Sequence, residues 1–347
     1  MPINYEPIDP TTDVATTRTL LHEVIPLTGT IVSGTYGTFP NDDNIKNYSH
    51  GMFQSVYDYP YLSSSANHIF DLTAGYDESS PLSSSLNPSL RAKKINMYNQ
   101  FSQVLLGYTG STNEVRKFES DLTLDGVGAM KEVVFVNLSR LLTKDEIKKG
   151  SVSITLGTAS WAAPFAGLKT FTDREASATQ GTLNTVGGDY GILTSSTTPE
   201  VGGVVFYQAG VMVLTSSIWA GTTDFFSQST TSRTFDQQLV SGSISGSADA
   251  FRHRMQNLQF NNTTEINSTV YFCRMPHNKY NYSSNPTYLS SGQVRVKNGN
   301  RQNPPISYVS TIGLYNSQNE LLAVAKLSEP LRKDPTNELT LRVRLDY

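Results

Sequence analysis

Near the end of the chain Leu339, Leu341, Val343 and Leu345 alternate with Thr340, Arg342, Arg344 and Asp346, and this period of two constrains the fold more than any other feature. Successive side chains of a strand point to opposite faces, so the run sets an apolar face against a core and a charged face toward water. Two runs upstream, Ile306-Ser-Tyr-Val-Ser-Thr-Ile-Gly-Leu-Tyr315 and Glu320-Leu-Leu-Ala-Val-Ala-Lys-Leu327, are rich in residues that suit a pleated, half-buried surface. Asn316-Ser-Gln-Asn319 supplies a polar turn between them, and residues 330–335 a longer one before the last run. The simplest topology is an antiparallel meander over residues 306–347, a scaffold without catalytic groups.

The rest of the composition agrees with a β-rich chain. Charged residues make up 16% of the 347, so the polar balance falls on Ser, Thr, Asn and Gln, which favours strands joined by long loops over helical bundles. A net charge of −3 provides no basic field for nucleic acid and no polybasic patch for a membrane, and neither partner is expected. Cys273 is the single cysteine, which rules out an intrachain disulfide and fits folding in a reducing cytoplasm. The N-terminal residues show no signal-peptide pattern, and no apolar run is long enough for a membrane helix; a soluble chain is expected. The Asn-x-Ser/Thr sequons follow from the abundance of those residues.

Read in order, residues 1–45 form an extended N-terminal arm, of a kind that becomes ordered on a neighbour's surface. Residues 46–128 form an aromatic and helical segment: helical turns are expected at 51–57 and 66–72, and a helix at 90–107 with Ile95, Tyr98, Phe101, Val104 and Leu105 on its buried face. Residues 129–347 form a β-rich body. Its strands are expected at 131–137, 151–157, 203–214 (a pair around a turn), 267–274 and 293–297, with long inserted loops at about 158–200 and 215–246. Two helices are expected in it, one at 143–149 from the Thr143…Glu146 capping box and one starting at a Ser247 cap. The fold class is mainly β, a β-rich α+β chain of antiparallel sheets or a β-sandwich with a few short helices.

The search for chemistry is mostly negative. The five histidines are dispersed with no metal-ligand spacing, glycine-rich phosphate loops are absent, and Gly242-Ser-Ile-Ser-Gly246 puts Ile244 where a nucleophile elbow needs serine. No catalytic residue, metal or cofactor is expected. Asp58, Asp71 and Asp77 beside the aromatic cluster are the best carboxylates for a sugar-binding or sugar-cleaving groove. Tyrosine-rich stretches equally suit protein interfaces, and the candidate interface residues are Tyr57, Tyr59, Tyr61, Phe225, Phe226, Tyr280, Tyr282 and Tyr288.

Four segments carry a family likeness: Gln54-Ser-Val-Tyr-Asp-Tyr-Pro-Tyr-Leu-Ser-Ser-Ser-Ala-Asn67, Leu141-Leu-Thr-Lys-Asp-Glu-Ile-Lys-Lys-Gly150, Asn281-Tyr-Ser-Ser-Asn-Pro-Thr-Tyr288 and Leu322-Ala-Val-Ala-Lys-Leu-Ser-Glu-Pro330. With them the chain, from about Tyr48 to Tyr347, resembles virion structural proteins of contractile-tailed bacteriophages, including those of cyanobacteria. Within that group it looks most like a baseplate wedge component. The resemblance implies a non-enzymatic subunit made in the bacterial host cytoplasm and carried in the virion tail. Its implied partners are copies of itself in a sixfold assembly and other tail proteins; the alternative readings of the chain itself are a carbohydrate- or receptor-binding tail protein and a neck or other tail structural protein. The family has no catalytic motif, so no functional residue is carried over.

Overall fold

The computed structural model describes residues 5–27, 43–84, 87–110, 112–177, 181–228, 231–282, 289–291, 293–294 and 305–347. The chain forms two compact units, Leu21–Thr264 and a smaller one made of Met1–Leu20 with Glu265–Tyr347. In chain order the strands are β1 (Val14–Pro26), β2 (Ile45–Asn47), β3 (Gln54–Tyr57), β4 (His68–Tyr76), β5 (Glu132–Leu138), β6 (Glu146–Ile147), β7 (Ser153–Gly157), β8 (Leu168–Thr172), β9 (Leu183–Thr185) and β10 (Gly188–Ser195). There follow β11 (Val201–Phe206), β12 (Val211–Thr215), β13 (Phe226–Gln228), β14 (Thr231–Arg233), β15 (Met255–Met275), β16 (Leu289–Ser290), β17 (Gln293–Val294), β18 (Ser307–Tyr315), β19 (Leu321–Lys333) and β20 (Leu339–Asp346). The α-helices are α1 (Pro88–Leu105), α2 (Arg140–Thr143), α3 (Phe235–Ser241) and α4 (Ile244–Arg254). The mainly β, antiparallel class read from the sequence is the class observed.

The larger unit is an antiparallel sheet in the order β15-β7-β8-β10-β11-β12-β5-β4-β3-β2, with β6 on β15 and β9 on β10. Its centre explains the continuous apolar runs in the sequence. Because side chains alternate, Val134, Val136, Met212, Leu214 and Val205 point into one core cluster. Val133, Phe135, Val211, Val213, Val204 and Phe206 point into a second on the opposite face. A strand buried on both faces carries no polar alternation, and Val133-Val-Phe-Val136 reads accordingly. Helix α1 covers the second cluster, its start fixed by Asn87, whose side chain accepts from Leu90 N, and by Pro88 in the first turn. Phe101 of α1 stacks on Phe135 at 4.3 Å between ring centroids. Gly75 of β4 lets the helix approach: a Cβ there would lie 2.6 Å from Lys94 O and 3.0 Å from Tyr98 N. Opposite, α4 seats Phe251 in the first cluster beside Trp219, with ring centroids 5.9 Å apart.

In the smaller unit β20 pairs with the end of β15 from Ser268↔Asp346 to Met275↔Leu339. Asn267 and Tyr347 exchange backbone hydrogen bonds beyond that register. The alternation in the last run is therefore real, with Val343 buried and Thr340, Arg342 and Arg344 exposed. The meander is not: β19 pairs with β18, and β20 goes to β15 instead. Eight residue pairs on a long partner strand outweigh the sequence proximity that favours a hairpin.

Other expectations also give way to tertiary pairing. The helical turns expected at 51–57 and 66–72 are strands β3 and β4, drawn into the sheet by β5, so residues 46–128 share the larger unit's sheet with the body. The Thr143 capping box forms no helix. The Asp145, Ile147 and Lys148 amides donate to Thr263 O, Tyr207 O and Asn261 O on neighbouring segments, and Lys144 takes φ 56°. The loop expected at 158–200 holds β8, β9 and β10, and that at 215–246 holds β13, β14 and α3. Helix α4 starts earlier than Ser247, because the Ser243 side chain caps Gly246 N. In the N-terminal arm, residues 14–26 are a strand next to β15. The expected strand at 293–297 lies within the described residues only at 293–294.

Candidate functional site

The candidate residues fall into groups that the fold treats differently. Tyr57, Tyr59 and Tyr61 lie at the β3–β4 connection of the larger unit, with Tyr59 57% exposed and Leu62 86% exposed beside them. Asp58 fixes that loop: its carboxylate accepts from Asn67 N at 2.6 Å and Asn67 Nδ2 at 2.8 Å, and Asp58 N donates to Asn67 O. Tyr57 packs edge-on against His68. The result is a rigid loop presenting two phenol rings to water.

The three carboxylates considered for sugar chemistry are all engaged in local structure. Burial raises the Asp71 carboxyl, but hydrogen bonds from His68 Nε2 at 2.8 Å and Ser55 Oγ at 2.5 Å outweigh it and hold the group below its ordinary value. Asp77 accepts from Ser79 N and pairs with Lys117 at 3.3 Å. Asp58 is the loop clamp. A carboxyl that must donate a proton at neutral pH needs a raised pKa, and the Asp71 carboxyl is shifted the other way.

Phe225 and Phe226 are corrections: they are buried, not presented to a partner. Phe225 packs between Trp219 at 5.1 Å and Phe235 at 5.0 Å, under the Arg254 guanidinium at 5.2 Å, and Phe226 lies 5.5 Å from Trp161. Ser/Thr-rich surroundings disguise these rings in the sequence because the groups that cover them, Trp219 and Phe235 on Phe225 and Trp161 on Phe226, lie elsewhere in the chain. Tyr280 and Tyr282 are exposed, in the smaller unit. Tyr288 lies outside the described residues.

Three of the buried cations share one design. Lys94 is fully buried, and its ammonium donates to the carbonyls of Leu239, Val240 and Gly242 at the end of α3. Arg254, also fully buried, donates to Phe225 O at 3.1 Å, Gly157 O at 3.3 Å, Ala159 O at 2.7 Å and Asp224 O at 2.7 Å. Lys333 does the same in the smaller unit, to His277 O, Asn281 Oδ1 and Asp334 O. Burial pushes Lys94 down to about 8 and Arg254 down to about 10. The inverse case is Asp173, which accepts from Gly150 N, Val152 N and Tyr207 Oη, while burial pushes its carboxyl up. Each of these groups holds backbone loops together, and its hydrogen-bonding capacity faces protein.

An open polar cavity of about 350 Å³ is lined by Asn47, Arg233, Gln238, Ser243 and Asp249, among others. Arg233 is already donated to Gln238 Oε1, and Asp249 accepts from Gln54 and Arg252. Among the described residues no cluster of His, Cys, Asp and Glu could hold a metal ion. No described helix is long and apolar enough to cross a membrane.

The surface that sequence reasoning missed is in the β18–β19 hairpin. Tyr308, Tyr315, Leu321, Leu322 and Val324 are between 45% and 69% exposed, although the pattern assigned these strands to a core scaffold. Exposed residues on two adjacent strands were detectable as apolar positions on both faces, since Val309, Ile312, Leu314, Ala323 and Ala325 are half-buried on the other side. No protein-family model, curated protein or solved structure matches the chain.

Proposed function

We propose that the chain is a non-enzymatic structural subunit of a contractile-tailed bacteriophage virion, a tail baseplate wedge component that assembles with copies of itself and with other tail proteins. The reading starts from the four segments named above. The observation that carries it is the make-up of the smaller unit. Val270 and Val343 are its only buried apolar side chains among the described residues, while the hairpin and Tyr280, Tyr282 and Tyr347 leave large apolar groups in water. So many large apolar side chains left exposed beside so small a buried core mark a chain whose final contacts are made with a neighbour. The buried charges of Lys94, Arg254 and Lys333, each committed to several carbonyl oxygens, point the same way, since a reactive centre needs a group left able to change partners. Inactivating the coding sequence in the parent virus should leave heads without complete tails. Normal infectious particles made without the chain would overturn the proposal.

A second reading, a carbohydrate- or receptor-binding tail protein, draws on Tyr59 and Tyr61 standing exposed on a clamped loop. Rigid aromatic faces are what sugar rings stack on. Glycan-array binding abolished by Tyr59→Ala with Tyr61→Ala would favour it over the assembly reading.

A further inference from the structure

We propose that the polar cavity between α3 and the start of α4 binds a neutral saccharide of one or two rings, held through its hydroxyl groups. The cavity lies in the larger unit, and neither Tyr59 nor Tyr61 lines it. The proposal holds whether or not the chain is a tail subunit.

The side chain that points to a ligand is Gln238 of α3. It is 2% exposed, and its Oε1 accepts from Arg233 Nη1 at 3.1 Å, a contact that sets which way round the amide sits. The amide nitrogen then carries two N–H groups that find no acceptor among the described residues. Leaving a buried donor unmet costs as much as a lost hydrogen bond. Two glycines keep the space beside this nitrogen clear: a Cβ at Gly242 would overlap Nε2, and one at Gly246 would lie 3.1 Å from it. Both glycines line the cavity, so the unmet donor opens there.

The charges around the cavity select the ligand class. Asp249 lines the same space. Its Oδ1 takes Gln54 Nε2 at 2.6 Å and Arg252 Nη2 at 3.1 Å, while its Oδ2 takes no donor among the described residues. Gly246 and Asp249 are three residues apart and hence neighbours on one face of α4, which sets the Gln238 donor and the Asp249 acceptor on one wall. An anion would meet the open Asp249 oxygen. A cation would meet the Arg233 guanidinium and the positive end of α4. A hydroxyl group suits both, because it accepts from an amide while donating to a carboxylate, and a sugar ring carries several. The volume, about 350 Å³, falls at the lower end of small-molecule sites, ~300–1,000 Å³, which matches one or two rings. Phe226, 5.9 Å from the Arg233 guanidinium, gives the cavity one apolar wall for the C–H face of such a ring.

The test is saturation-transfer-difference NMR on the full-length chain with glucose, galactose, mannose, N-acetylglucosamine, maltose and lactose, followed by calorimetric titration of each sugar that gives a signal. Inorganic phosphate and putrescine, titrated separately, are the anionic and cationic probes. At least one sugar should bind, and neither charged probe should. Gln238→Glu keeps an acceptor for Arg233 and removes the donor, and it should weaken the sugar at least about 10-fold. Ser245→Trp fills the cavity from the half-exposed first turn of α4 and should abolish binding with the far-UV circular dichroism unchanged. Should Gln238→Glu fail to fold, Ser245→Trp carries the test alone. Silence from every sugar, binding of phosphate or putrescine in their place, or sugar binding indifferent to the cavity substitutions overturns the proposal. Sugar binding lost in Tyr59→Ala with Tyr61→Ala but kept in both cavity variants overturns it too, and assigns the sugar to the β3–β4 loop.

Discussion

Lys94 offers a quantitative test of the idea that the buried charges are structural fasteners. The folded chain holds its ammonium at about 8 against an ordinary 10.5, a difference equivalent to about 3 kcal/mol. The cause is burial, in a site where the ammonium donates to the carbonyls of Leu239, Val240 and Gly242. Below pH 8 both folded and unfolded chains carry the proton, so the full cost of the buried charge is present. Between 8 and 10.5 the folded chain has released a proton that the unfolded chain keeps, and stability rises with pH. Above 10.5 both are neutral and the cost is gone. The perturbation is Lys94→Met, which removes the titration. Urea unfolding followed by the fluorescence of Trp161 and Trp219 at pH 7.5 and 9.5 gives the stability of each protein. The wild type should gain about 2 kcal/mol relative to the variant across that interval. The measurement stops at 9.5 because buried tyrosines such as Tyr98 and Tyr207, whose hydroxyls burial holds protonated, oppose the trend once unfolded tyrosine ionises. A difference that is flat or falls with pH would refute the reasoning, since the ammonium would then be as well solvated inside the protein as in water.

Further outcomes follow from the same contacts. Arg254→Lys keeps the charge but cannot span four carbonyls on two loops, and it should lose about 2–4 kcal/mol in urea unfolding; a loss below ~0.5 would show that the loops hold themselves. Gly75→Ala drives a Cβ into the Lys94 carbonyl and should cost about 1–3 kcal/mol with the fold retained by circular dichroism. Removing residues 338–347 uncovers the β15 edge over the Ser268–Met275 register and should make residues 265–337 rapidly cleavable in limited proteolysis while 43–264 resist. In native-state hydrogen exchange, amides of β5 and β12 should be protected by the global unfolding free energy and those of β18 and β19 by much less, because the hairpin lacks a buried core. Equal protection would contradict the reading of the smaller unit.

Much of the strand content was legible because apolar β-branched residues recur in short runs. The Val133 and Val211 runs showed as short unbroken apolar stretches, and the 339–345 alternation needed only the period of two. Helix α1 was legible from its spacing, although the face is set by Tyr98, Met97 and Leu105 with the buried Lys94, while Val104 points to water. What local pattern could not show was pairing at a distance. Residues 143–149 carry sound helix signals, yet the Asp145 and Lys148 amides are claimed by carbonyls more than a hundred positions later, at Thr263 and Asn261, and the Ile147 amide by Tyr207. Two of the interface candidates, Phe225 and Phe226, failed for a related reason. Phe225 and Phe226 sit in a polar stretch, and only the fold shows that Trp219, Phe235 and Arg254 close over Phe225 and Trp161 over Phe226. The hairpin face was missed because an apolar strand reads as core whether its cover comes from its own chain or from another.

The most direct test of the assembly account is a cryo-electron microscopy map of the parent particle, with the two units fitted separately. The account requires density for the chain at the tail end, in copies that follow the sixfold axis, with the β18–β19 face covered by a neighbouring subunit. Intact particles with no density for the chain, or with the chain present and that face open to solvent in every copy, would contradict it.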